Sequence, residues 1–195
     1  MPQTLSNPIA IGTDATDFIL PDADGRLHKL GDYADKPAVL VAFISNRCPF
    51  VVLLREALAK FGRDYAPKGL QIIAINSNDA AAHPEETLAR IGQEAKTYGY
   101  TFPYLKDASQ GVAKSYGAAC TPDFFLFGSD RKLAYHGQFD DARPGNGKPV
   151  TGADLRAAVE AVLAGAKPGP SQTPSIGCNI KWEPGNEPSW VPKAA

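Results

Sequence analysis

The sequence predicts an α/β fold: a central mixed β-sheet flanked by helices, with an N-terminal β-hairpin ahead of it and an extended C-terminal tail behind. Three observations carry this. Two apolar runs of strand length, Ala38 to Ile44 and Leu70 to Asn76, are joined by a stretch whose apolar residues Leu54, Leu58, Phe61 and Tyr65 fall at helical spacing; strand, helix, strand implies parallel pairing. Two later runs, Phe124 to Phe127 and Leu133 to Gly137, flank a turn at Gly128-Ser129-Asp130-Arg131 and read as an antiparallel hairpin, which makes the sheet mixed. From Ala166 onward the chain is rich in Pro, Gly and Ser, so residues 166–195 are expected to lie extended over a single domain spanning 1–165.

The elements follow in order. Asp22, Asp24 and Gly25 turn the chain between Phe18-Ile19-Leu20 and Leu27-His28-Lys29-Leu30, giving the N-terminal hairpin. Pro49 suits the first position of the helix after the 38–44 strand, and Gly69 ends that region. The polar loop Ser77-Asn78-Asp79 leads to a helix opened by Pro84-Glu85-Glu86, with Leu88, Ile91, Ala95 and Tyr98 on its inner face and Gly99 as its stop. A short strand from Phe102 to Leu105 and a small helix near Gln110–Tyr116 precede Cys120-Thr121-Pro122-Asp123. Thr151 is expected to cap the last helix, whose core face is Leu155, Val159, Val162 and Leu163. Trp182 and Trp190 are expected to anchor the tail by packing.

Composition narrows the function. A chain of 195 residues with 44% hydrophobic content buries one good core. The net charge of −1, with no long basic run, argues against nucleic acid and anionic membrane as partners. Met1 to Pro8 lacks both a basic n-region and an apolar h-region, and no segment reaches bilayer-spanning length, so a cytoplasmic location is expected. Three scattered cysteines, Cys48, Cys120 and Cys178, are too few for a disulfide framework or a zinc site, leaving redox chemistry or burial. His28, His83 and His136 are isolated, and neither a metal nor a cofactor is expected.

Ser45-Asn46-Arg47-Cys48-Pro49 is where the chemistry concentrates. With Pro49 at the first helical position, Cys48 becomes the N-cap. A thiolate there can accept hydrogen bonds from the free N–H groups of the first turn and feel the positive end of the helix dipole, conditions that lower a thiol pKa and favour a nucleophile.

The order β-α-β-α-β-β-α, with a cysteine at the first helix and Thr121-Pro122 before the hairpin, resembles the thioredoxin fold in the elaborated form found in peroxiredoxins, over roughly Gly12 to Gly165. Four phrases bring the resemblance closer: Phe43 to Val51, Ala119 to Phe125, Asp140 to Pro149, and Pro174 to Trp182. They are similar to the peroxiredoxin-like branch of the thioredoxin and alkyl-hydroperoxide-reductase superfamily, the redoxin-domain proteins. That likeness implies a thioredoxin-like fold with a cis bond before Pro122, and Cys48 as nucleophile. Many relatives carry Cys-x-x-Cys where this chain has Ser45-Asn46-Arg47-Cys48, so no dithiol closes inside the motif. The Ser45-x-x-Cys48 pair matches the Thr/Ser-x-x-Cys core of a peroxide site, although Val41 replaces the proline expected before it.

On this reading Arg47 or Arg143 supplies the cation, with Arg143 on the rim of the site, and Ser45 or Thr121 supplies the hydrogen-bond donor beside Pro122. Oxidised Cys48 needs a second thiol, and Cys120 and Cys178 are the internal candidates to resolve it. The expected substrate is a small hydroperoxide or a protein disulfide, with a thioredoxin-like or low-molecular-weight thiol as reductant. Three functions stay open: a peroxidase, a thiol-disulfide oxidoreductase working through mixed disulfides, and a non-catalytic binding module of the same fold.

Overall fold

The computed structural model describes residues 3–191. Its centre is a five-stranded sheet built from β4 (Ala38–Phe43), β5 (Leu70–Asn76), β6 (Tyr104–Lys106), β8 (Asp123–Phe127) and β9 (Leu133–His136), in the order β6-β5-β4-β8-β9. β4, β5 and β6 run parallel, whereas β8 and β9 add on antiparallel, so the sheet is mixed. The fold is thioredoxin-like, and the Thr121–Pro122 bond is cis.

β4 explains its own sequence. It lies mid-sheet with both faces covered, and every residue from Ala38 to Phe43 is fully buried. Ala38, Leu40, Ala42 and Ile44 pack on one side with α1 (Pro49–Tyr65), α2 (Leu88–Tyr98) and α4 (Ala153–Leu163), through Leu54, Leu58, Phe61, Ile91, Leu155 and Val159. Val39, Val41 and Phe43 pack on the other, against Phe18 and Leu20 of the N-terminal hairpin, and Ala113 and Tyr116 of α3 (Gly111–Tyr116). A strand sandwiched in this way reads as a continuous apolar run rather than an alternation, and each larger side chain contributes about 1.5–3 kcal/mol by its burial. The hairpin itself is β2 (Ile19–Pro21) and β3 (Leu27–Lys29), a separate two-stranded sheet.

Several expectations need correction. Pro84–Glu86 forms a 3-10 turn and the α-helix begins only at Leu88, because Glu86 turns inward and is fully buried instead of facing solvent in a helical first turn. The short strand starts at Tyr104. Gly152, not Thr151, is the N-cap of α4, at φ 68°, where a Cβ would meet the Phe139 ring at 2.6 Å. Asp140 reaches across to accept the Thr151 and Gly152 N–H groups, each at 2.6 Å. Trp182 packs against the core, but Trp190 is 40% exposed.

The tail also contributes a strand. β10 (Ile176–Asn179) lies between β1 (Gln3–Leu5) and β7 (Cys120–Thr121), both antiparallel to it. Gly177 makes this close approach achievable: a Cβ there would sit 2.0 Å from the Thr121 carbonyl oxygen.

Candidate functional site

The helix-start geometry sets the position of Cys48. It is the N-cap of α1, with extended backbone (φ −69°, ψ 119°) and Pro49 following, and it is buried at 2% exposure. Its side chain makes no bond to the first-turn N–H groups. Instead Sγ donates to the Thr121 carbonyl oxygen at 3.0 Å, a bond that requires the S–H proton. The expected N–H contacts are therefore absent in the reduced protein, because the chain before the cis proline offers a carbonyl acceptor at closer quarters.

The register of β10 decides which second thiol lies beside it. Cys178 faces Thr121 across the ladder and Asn179 faces Cys120. Since successive side chains on a strand point to opposite faces, Cys178 shares a face with Thr121, and Cys120 points away from it. Cys178 packs in the same apolar cluster as Cys48 and lines the same small cavity. Its thiol is pushed up to about 12, first by burial and then by the Cys48 sulfur beside it. Cys120 is fully buried, contacts the Pro122 carbonyl at 3.6 Å, and burial with nearby Asp123 holds its thiol well above the ordinary range. All three thiols are free.

Ser45 meets a residue that sequence reasoning missed. Its hydroxyl donates to Glu86 Oε1 at 2.5 Å, and the same fully buried carboxylate accepts from the Asn46 N–H (3.1 Å), Asn76 Nδ2 (2.5 Å) and Asn78 Nδ2 (3.3 Å). Lys106 supplies the counter-charge one step further on, its Nζ bonded to Asn76 Oδ1 at 2.8 Å and the Asn78 carbonyl at 2.6 Å. With its proton committed to Glu86, Ser45 presents an acceptor to the cavity, not the donor expected of it. The uncommitted hydroxyl is Thr121 Oγ1, buried and without a partner among the described residues.

The expected cations separate. Arg47 is exposed and donates to His83 Nδ1, while still lining the cavity with Cys48 and Cys178. Arg143 lines a different depression, beside Phe50, Leu54 and Pro122, and is tied to the Asp140 and Ala142 carbonyls at 2.7 Å each. Its place on the Cys48 cavity is taken by Lys181, whose Nζ is bonded to Asn179 O at 2.8 Å and Oδ1 at 2.6 Å. Lys181 stands three residues after Cys178 in the last of the four phrases, which is the signal that could have found it. Nor are the histidines isolated: His136 pairs with buried Asp123 at 2.9 Å, and His28 with Asp22 at 2.8 Å.

A family profile described as the AhpC/TSA family matches residues 11–136, a span that contains the Ser45–Cys48 motif and the cis proline. The chain belongs to the AhpC/TSA family. This AhpC/TSA member is thereby a thiol-based redox protein. It is 28% identical over 130 residues to the thiol-disulfide oxidoreductase ResA of Geobacillus thermodenitrificans, covering 67% of this chain and 70% of that one. It is also 28% identical over 109 residues to the chloroplastic peroxiredoxin Q of Triticum aestivum, covering 56% and 46%. The crystal structure of the hypothetical protein SMc02350 from Sinorhizobium meliloti 1021 is 71% identical, with a TM-score of 0.93 over 93% of this chain and 100% of that one. No helix among the described residues is long and apolar enough to cross a membrane.

Proposed function

We propose that this AhpC/TSA member is a thiol-disulfide oxidoreductase whose redox pair is Cys48 and Cys178. The observation that carries the reading is the small cavity at the start of α1 that Cys48 and Cys178 line together, made by β10 crossing the cis-proline segment. The ResA likeness supports the reaction class. In the oxidising direction, the Cys48 thiolate attacks a substrate disulfide, forming a mixed disulfide and releasing one thiolate. Cys178 then attacks Cys48 Sγ, releasing the second. Two electrons pass to the substrate, the protein dithiol becomes a disulfide, and its two protons go to solvent. The orphaned Thr121 hydroxyl, on the face that Cys178 occupies, is a donor for the departing or attacking sulfur.

One observation favours a second reading, a peroxidase. Cys48 is 2% exposed and the cavity over it has a volume of about 10 Å³, room for one water-sized molecule, which suits a small oxidant reaching the sulfur directly. Peroxide would convert Cys48 to the sulfenic acid with loss of the second oxygen as water, and Cys178 would displace the hydroxide to give the same disulfide.

Redox titration in glutathione buffers, with disulfide mapping by mass spectrometry, tests the pair. A Cys48–Cys178 disulfide is expected in the parent protein and in Cys120→Ala. Oxidation that leaves Cys178 reduced, or that pairs Cys48 with Cys120, overturns the assignment. Initial rates with hydrogen peroxide against oxidised glutathione then separate the two readings.

A further inference from the structure

The residues lining the cavity over the two thiols include two cations, Arg47 and Lys181, and no carboxylate. Neither cation is neutralised by its side-chain contacts: Arg47 donates to the His83 ring nitrogen, which must be unprotonated to accept, and Lys181 donates to Asn179. One Nζ donor of Lys181 has no protein partner among the described residues. The two charges are near enough to repel one another, and Lys181 also feels both sulfurs and the buried Glu86 carboxylate. The remaining lining is neutral and polar, from Ser45, Asn78 and Asn179. Glu86 is the nearest buried acid, but it lies under Ser45 with its oxygens occupied and Lys106 bonded to the same asparagines.

Lys181 is also held in place. Its N–H donates to Asn78 Oδ1 at 2.8 Å, and its carbonyl accepts from the Asp79 N–H and from Gln110 Nε2, both at 2.8 Å. The segment that carries Cys178 into the site therefore carries this ammonium with it, at a fixed offset. The cavity has room for about one water-sized molecule, so a disulfide must meet the thiols at its mouth, on the rim where Arg47 and Lys181 stand.

We propose that the substrate of the Cys48–Cys178 pair is a small anionic disulfide, one that bears carboxylates beside its S–S bond. The inference rests on the dithiol reading above. Its chemistry is the exchange already written: each half of the disulfide leaves as a thiolate while the protein becomes oxidised. Two cations at the rim, one of them held in place by its backbone, raise the local concentration of an anionic disulfide and stabilise each departing thiolate.

The test compares three disulfides on the fully reduced, full-length protein: oxidised glutathione (anionic), hydroxyethyl disulfide (neutral) and cystamine (cationic). Each rate is divided by that of dithiothreitol with the same disulfide, which removes intrinsic reactivity. The normalised preference for the anionic over the neutral disulfide is expected to be about tenfold at low salt and to collapse near 1 M salt, where the screening length is about 3 Å. Lys181→Gln should lose most of it, Lys181→Arg should keep it, and Arg47→Gln at an exposed position should lose part without any burden on folding. Equal normalised rates for all three, or a preference for cystamine, overturn the charge assignment while leaving the dithiol reading intact. Failure of all three to form the Cys48–Cys178 disulfide overturns both.

Discussion

Replacing Glu86 by alanine removes the acceptor for four groups at once: the Ser45 hydroxyl, the Asn46 N–H, and the side-chain amides of Asn76 and Asn78. These donors have little chance to re-pair. Asn76 Oδ1 is held by Lys106 and the Asn78 N–H, and Asn78 Oδ1 by the Lys181 N–H, so neither amide can flip. A buried donor left unsatisfied costs about 1–3 kcal/mol. Against that, the variant no longer has to keep a carboxylate out of water, and removing one member of a buried charged network nets about 3–5 kcal/mol. For a chain of this size that corresponds to a fall in Tm on the order of 10 °C. Urea unfolding of the reduced protein at pH 7 measures it directly, with an unchanged m-value showing that the denatured state is comparable. Glu86→Gln, which keeps one carbonyl oxygen and the shape, should lose about half as much. A loss below about 1 kcal/mol for the alanine variant would mean that water replaces the carboxylate freely, and the network would not be what holds Ser45 and Asn46 in place.

Gly177→Ala puts a methyl group 2.0 Å from the Thr121 carbonyl oxygen and 3.2 Å from Pro122 Cδ, so β10 must lift. The variant is expected to lose about 1–3 kcal/mol and to form the Cys48–Cys178 disulfide at least several-fold more slowly, read by quenched alkylation. The buried thiols predict an alkaline limit. Cys178 is held up to about 12 and Cys120 is also raised, both chiefly by burial, whereas thiols of the unfolded chain ionise near 8.5. Above that pH the unfolded state sheds protons the folded state keeps, so the reduced protein's stability is complete below about 8.5 and declines toward 12, by about 1 kcal/mol per pH unit for each thiol. Urea unfolding at pH 8, 9 and 10 follows the decline, and Cys120→Ala should reduce its slope; a flat profile would contradict the burial of these sulfurs.

The fold was legible wherever burial imposes a pattern. The apolar runs of β4 and β5 and the stripe of Leu54, Leu58, Phe61 and Tyr65 are direct records of which faces are covered. Cys48 at the head of α1 followed from Pro49 and the end of the strand, both local signals. The partners of that cysteine did not, because they arrive through long-range pairing. Whether Cys178 lies beside it depends on a one-residue register between β7 and β10, and a slip of one would turn Cys178 to the opposite face. Glu86 was hidden for a different reason. After Pro84, two acidic residues look like a helix start, and only the tertiary fold reveals that one of them turns inward to four donors. Lys181 carries no such local signal, since a lysine in a polar tail is ordinarily solvated.

β10 joins residues near one end of the described chain to residues near the other, pairing Cys178 with Gln3 on one edge and with Thr121 on its other edge. Contacts so distant in sequence are among the last a folding chain makes, because their loop-closure entropy is met only after the core has formed. Until that strand docks, the sulfur at the head of α1 lacks the cover that Cys178 and its strand supply, and the step that closes the fold is also the step that buries Cys48.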